Sequence, residues 1–219
     1  MKALSYLILG GGHFGRLATE RLLQENPYSD ILVVDRQPKA LEAFVLLPVQ
    51  ISLGDGISEL NRLLKTGHPF DYVIPSVPFH VAFEYLLLNL KPLGARRNSV
   101  PLISGLPNAL MGENGDLYTS LADFLCPDDC SEPPFYCTVT GKKREKPLYQ
   151  ILTDVFRSYE SRVIQSQQLA AGVGGFPPRI LGDLLEDLGA FAMLGQPVLI
   201  STACRCHGVT SALSFSVSR

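Results

Sequence analysis

The run Gly10-Gly11-Gly12-His13-Phe14-Gly15 fits the pattern G-x-G-x-x-G. It lies between a short apolar stretch, LSYLILG (4–10), and HFGRLATERLLQE (13–25), in which Phe14, Leu17, Ala18 and Leu22 recur at helical spacing. A strand that turns straight into a helix through glycines has few folds open to it. Gly10 permits the tight turn, and Gly12 lets backbone N–H groups approach a pyrophosphate at the helix N-terminus. Gly15 lets the helix pack close on the strand. A second apolar run, DILVVD (30–35), ends in Asp35, at the distance of about 20 residues where a carboxylate can hold a ribose hydroxyl pair. Glycines and acid together point to a dinucleotide, NAD(H) rather than its 2′-phosphorylated form, because Asp35 would repel that phosphate. Arg36 follows directly and could soften the repulsion; otherwise it is a solvated charge at a strand end. His13 and Phe14 lie between the glycines and belong to the same candidate set, His13 either approaching the phosphates or lying peripheral at the helix start.

The alternation continues through the first half. PKALEAFVL (38–46) suits a helix, VQIS (49–52) a strand, and ISELNRLLK (57–65) a helix. FDYVIPSV (70–77) reads as a fourth strand, FHVAFEYLLLNL (79–90) as a fourth helix and SVPLIS (99–104) as a fifth strand. Continuous apolar strands separated by helices predict an α/β fold, a Rossmann-like doubly wound parallel sheet covered on both faces. The expected organisation is a dinucleotide-binding domain over 1–105, then a Cys-containing α+β region over 106–219.

Residues 4–104 resemble the nucleotide-binding domain of the RCK, or TrkA-N, family, which regulates potassium channels and transporters. The likeness rests on LILGGGHFGRLA, ILVVDRQP and GDGISELNRLLKTGHPFDYVIPSVP. It implies that Asp35 binds the adenosine ribose, that Asp55 lies near the adenine, and that Val77 and Pro78 line the cofactor cleft. Read without the likeness, Asp55 is a turn residue between two glycines. The likeness also implies a regulatory or sensor role in potassium transport, a transporter or other protein as partner, and a homodimer. The chain departs from that family after the fourth strand, where SVPFHVAFEYLL carries two prolines and bulky aromatics.

Beyond residue 105 the alternation stops in a stretch rich in Gly, Pro, Asp and Asn. It resumes with an expected helix (148–158), a strand (161–169), a glycine turn at GVGG (172–175), a helix (178–191) and strands over 196–203 and 208–217. The irregular stretch holds Cys126, Cys130 and Cys137, spaced C-x3-C-x6-C, while Cys204, Cys206 and His207 form C-x-C-H. Zinc takes four thiolate or imidazole ligands in a tetrahedron, and iron–sulfur clusters take four thiolates. Either could draw three ligands from the first group and one or more from the second. Unligated thiols and a regulatory disulfide remain open alternatives. Asp128-Asp129 is a poor hard-metal site beside thiolates, which select softer metals.

Charge and composition exclude other classes. The formal net charge is −2, which gives no electrostatic case for nucleic acid, and KKREK (142–146) reads as a solvated loop. No uncharged stretch reaches the ~18–20 apolar residues of a membrane span. MKALSYLILGGG has the outline of a short signal peptide but lacks an A-x-A-like cleavage site. The expectation is a cytoplasmic protein, where disulfides do not persist. The sequence has no G-x-S-x-G, H-E-x-x-H or P-loop lysine. The leading reading is an NAD(H)-binding regulatory or sensor protein with a Cys-ligated metal; the alternative is an NAD(P)-dependent oxidoreductase or an electron-transfer protein with an Fe–S cluster.

Overall fold

The computed structural model describes residues 3–191 and 197–216. In chain order the elements are β1 (Ser5–Leu9), α1 (His13–Glu25), β2 (Asp30–Asp35), α2 (Pro38–Leu41), β3 (Gln50–Leu53), α3 (Gly56–Lys65) and β4 (Tyr72–Pro75). There follow α4 (Val81–Leu90), β5 (Ala95–Asn98), β6 (Leu110–Met111), β7 (Leu117–Ser120) and α5 (Leu148–Val155). The chain ends with β8 (Glu160–Gln165), β9 (Gln167–Ala170), β10 (Val173–Gly175), α6 (Arg179–Phe191), β11 (Val198–Ala203) and β12 (His207–Phe215). They form two compact units: Met1–Val81 with Gln167–Arg179, and Ala82–Ser166 with Ile180–Arg219.

The first unit is built on a parallel four-stranded sheet in the order β3-β2-β1-β4. Successive side chains of a strand point to opposite faces, so each apolar run must be buried on both. Tyr6 and Ile8 of β1, Ile31 and Val33 of β2 and Ile74 of β4 share a core with Ala18 and Leu22 of α1 and with Leu41 and Phe44. On the other face Leu7, Leu9, Val34 and Val73 are buried. There a Cβ on Gly56, at the start of α3, would stand 3.5 Å from Leu9, and Leu60 and Leu63 of α3 are buried. Each such side chain contributes about 1.5–3 kcal/mol on burial.

The sheet is finished by a segment distant in sequence. β9 and β10 form an antiparallel hairpin, and Val73 and Phe176 exchange backbone hydrogen bonds of 2.9 and 3.0 Å. The hairpin places Ala170 and Val173 in the core under α1, and Arg21 of α1 donates to the Ala171 carbonyl at 2.8 Å. A Cβ on Gly175 would stand 2.9 Å from the Val73 carbonyl oxygen, so this glycine serves close backbone approach.

Here the expected elements need correction. GVGG contains a strand, β10, and only Gly172, at φ +64°, makes the turn. The expected strand 161–169 is two strands, β8 and β9, in different units. SVPLIS is not a strand; Pro101 lacks the N–H that a ladder needs. The strand lies earlier, as β5, and pairs antiparallel with β12 instead of extending the first sheet. The expected helix over 38–46 shortens to α2 followed by a 3-10 turn, Glu42–Phe44.

The second unit holds a mixed six-stranded sheet in the order β6-β7-β12-β11-β8, with β5 also on β12. Its strands are antiparallel except for β8 and β11, which run parallel. Leu148, Leu152 and Phe156 pack with Leu117, Leu199 and Ala212 in one core cluster. Asp116 is 2% exposed. It is paired with Arg97, which also binds Glu84, and it accepts a 2.6 Å hydrogen bond from the Ser211 hydroxyl.

Candidate functional site

The glycine turn lies at the carboxyl ends of β1 and β2, as the sequence predicts. Gly10 has φ +103°, and a Cβ there would overlap the Ser76 carbonyl and crowd Val77. A Cβ on Gly15 would overlap the Gly10 carbonyl. Both glycines are therefore required by the protein's own packing. Gly12 differs: its φ is −71°, open to any residue, and a Cβ there would have no atom within 4 Å. Gly12 is the N-cap of α1, whose first turn has no capping side chain and no acidic residue. The leading N–H groups of α1 thus keep their affinity for an anion.

Asp35 is fixed beside this turn. Its Oδ2 accepts the Gly11 N–H at 2.7 Å and its Oδ1 accepts the Gln37 N–H at 2.8 Å. A carboxylate has about four lone-pair sites, so the two oxygens can still accept further hydroxyls. Arg36 pairs with Asp55 at 2.7 Å. Asp55 is also the N-cap of α3, accepting the Ser58 N–H at 2.9 Å. That bond, with further help from Arg36, holds the Asp55 carboxyl below the usual range. Val77 abuts Gly10, whereas Pro78, His13 and Phe14 are exposed. His13 and Phe14 meet edge to face at 5.1 Å. The structure makes Asp55 a turn and cap residue that follows β3 and pairs with Arg36.

The two Cys/His groups meet within the second unit. The turn joining β11 to β12 is closed by the Cys204 N–H donating to the His207 carbonyl at 2.9 Å. The irregular segment 121–147 is tied to that turn. Leu121 donates to the Cys206 carbonyl and Leu148 to the Arg205 carbonyl, both at 2.8 Å, while Glu132 accepts the Arg205 N–H at 2.7 Å. The Cys126 sulfur is 3.5 Å from His207 Nε2, and the Cys204 sulfur 4.0 Å from His207 Nδ1. The buried Arg144 donates to the Cys206 sulfur at 2.6 Å and also to the Pro133 carbonyl.

All five cysteines are half-buried free thiols. Among the described residues, no three His, Cys, Asp or Glu side chains are arranged to hold a metal ion; the contacts seen are pairwise. Burial raises the Cys204 thiol to about 12, reinforced by the Glu132 carboxylate. It also raises Cys206, against the pull of Arg144. Cys126 is raised by burial and then by the neighbouring Cys130 and Cys137. Cys137 goes the other way: the Thr140 hydroxyl and N–H, with the Val139 N–H, favour its thiolate. Burial lowers the His207 imidazole. Sequence reasoning missed Glu132 and Arg144; a Glu and an Arg in a polar loop carry no local mark of their partners.

No helix among the described residues is long and apolar enough to cross a membrane. A family model described as "Uncharacterized protein, C-terminal domain" matches residues 82–216, a span that begins where the second unit begins. An "Uncharacterized protein" of Archaeoglobus fulgidus is 30% identical over 221 residues, covering 94% of this chain and 98% of that one. These matches correct the resemblance to RCK/TrkA-N domains, and with it the expected part in potassium transport. The glycine turn and the acid ending β2 are general requirements of a dinucleotide fold, so they do not single out one of its families. The chain belongs to the family defined by this C-terminal domain, and the Archaeoglobus fulgidus protein is its relative along nearly the whole length.

Proposed function

We propose that the first unit binds NAD(H) at the Gly10–Gly15 turn. The observation that carries this reading is Gly12. Packing accounts for Gly10 and Gly15, but nothing within the protein requires a glycine at 12. An open glycine at the uncapped start of α1 suits a pyrophosphate approaching the backbone from outside.

Asp35 supports the choice of nucleotide. It is held at the end of β2 with acceptor capacity left for the adenosine ribose hydroxyls. Arg36 is paired with Asp55, so its charge is already matched and is a poor offer to a 2′-phosphate. In this reading the backbone of the glycine turn holds the phosphates, Asp35 orients the ribose, and Val77 with Pro78 borders the cleft.

Titration calorimetry of the full chain with NAD+, NADH and NADPH tests the reading. Micromolar binding of NAD+ or NADH, weaker binding of NADPH, and loss of binding in Gly12→Val with a stability loss no larger than an N-cap change of about 1–2 kcal/mol are expected. Wild-type protein that binds none of the three, or a Gly12→Val variant that binds as well as wild type, overturns it.

A further inference from the structure

We propose that Asp55 sets the nucleotide preference of the first unit: by pairing with Arg36 it keeps the guanidinium from a 2′-phosphate, so the site takes NAD(H) and discriminates against NADP(H). This deepens the reading of the Gly10–Gly15 turn and rests on it. Asp55 acts through Arg36, so it is a positioning residue.

The sheet brings the two side chains together. β2 and β3 run parallel, and Asp35 at the end of β2 is the register partner of Leu53 at the end of β3. The Gly54 N–H donates to the Asp35 carbonyl at 2.9 Å, so the two segments leave the sheet side by side. Arg36 is the first residue beyond β2 and Asp55 the second beyond β3. Their side chains close to 2.7 Å. A 2′-phosphate on a ribose held by Asp35 would therefore approach a guanidinium that already has a carboxylate on it.

The two partners are not equally free. Asp55 is anchored as the N-cap of α3. Its Oδ1 accepts the Ser58 N–H at 2.9 Å, and its carbonyl accepts the Glu59 N–H at 2.9 Å. Its other carboxylate oxygen, Oδ2, takes Arg36. The Arg36 side chain is 66% exposed and reaches Asp55 on a long flexible stem. The fixed acid thus decides where the mobile cation points.

Charge makes this pair selective without making it strong. An exposed ion pair contributes little to stability, and pairing alone would not hold Arg36 against a phosphate. Asp55 acts in two ways, however. It binds the guanidinium, and its own charge repels the phosphate that would replace it. An arginine near the ribose is the means by which this kind of fold accepts a 2′-phosphate, through paired N–H donors on the phosphate oxygens. Arg36 has the charge and the place in the chain for that task, and Asp55 occupies it.

Calorimetry of the full chain with NADH and NADPH, on wild type, Asp55→Asn, Arg36→Ala and the double variant, tests this. The readout is the ratio of the two affinities, which a loss of stability alone does not move. Wild type should favour NADH. Asp55→Asn should shift the ratio toward NADPH by about five- to tenfold. Arg36→Ala should cancel that shift in the double variant, and added salt should shrink it. Asparagine caps a helix as well as aspartate does; should the variant nevertheless fail to fold, Asp55→Ser, which also caps, takes its place. An unchanged ratio in the Asp55 variant, or a shift that survives Arg36→Ala, overturns the proposal and leaves the nucleotide site standing. Wild type that binds neither nucleotide overturns both.

Discussion

The carbonyl oxygen of Gly10 occupies the place that a Cβ on Gly15 would take. The first turn of α1 can therefore lie against β1 only while residue 15 is glycine. The same turn leaves Gly12 facing open space.

These two glycines predict opposite outcomes for one substitution. Gly15→Ala should cost about 3 kcal/mol or more, because a backbone oxygen cannot yield as a side chain does. Gly12→Ala should cost no more than about 1 kcal/mol, the scale of an N-cap change. Urea unfolding of both variants checks this, and similar midpoints would contradict the packing described for the turn.

Asp55 links stability to pH. Its carboxyl lies below the ordinary range because the folded chain binds the ionised form, first through the Ser58 N–H. Its stabilisation is therefore present above the unfolded carboxylate pKa and is lost as pH falls through the lower folded value. Asp55→Ala should cost about 1 kcal/mol at neutral pH, and the difference from wild type should shrink in acid. A gap that is constant between neutral pH and the acid range would count against the cap.

Arg97 joins Asp116 and Glu84 and lies over the Phe83 ring at 4.4 Å. Removing it strands the Asp116 carboxylate, of which 2% is exposed. Arg97→Ala should destabilise the second unit by about 3 kcal/mol. Arg97→Ala combined with Asp116→Asn should recover part of that loss, because the buried charge is then gone. Denaturant melts of the single and double variants measure it, and additive losses would mean that the pair is not coupled.

The five free cysteines should differ in reactivity. Cys137 is shifted toward its thiolate by the Thr140 and Val139 donors, whereas Cys204 is pushed up to about 12 and stays protonated at neutral pH. Iodoacetamide treatment followed by peptide mass spectrometry should find Cys137 modified first and Cys204 last, with the thiolate as the reactive form. The reverse order would be incompatible with the surroundings assigned to both.

Much of the first unit is legible in the chain itself. β2 falls where DILVVD predicts it, and α1 spans the stretch whose apolar residues recur at helical spacing, because both signals are local. The glycine turn and Asp35 are legible for the same reason: φ at Gly10 and the position of a carboxylate at a strand end are set within a few residues. The hairpin of β9 and β10 is not. Gly174 and Gly175 look like a turn, and only the close backbone of Val73 shows why a strand there needs glycine. β5 was misplaced because a four-residue strand reading Ala-Arg-Arg-Asn has no apolar run and is selected by pairing with β12.

By itself, then, the sequence determined the strand–helix alternation, the glycine turn and the acid that faces it, since periodicity and backbone freedom are properties of neighbouring residues. Tertiary structure alone decided that 167–176 completes the first sheet, that β5 belongs to the second, and that Cys126 meets His207 while Arg144 takes Cys206 and Glu132 the Arg205 N–H. Each of these is a contact between residues far apart in the chain. Such contacts form only when burial elsewhere has already paid the entropy of bringing the segments together.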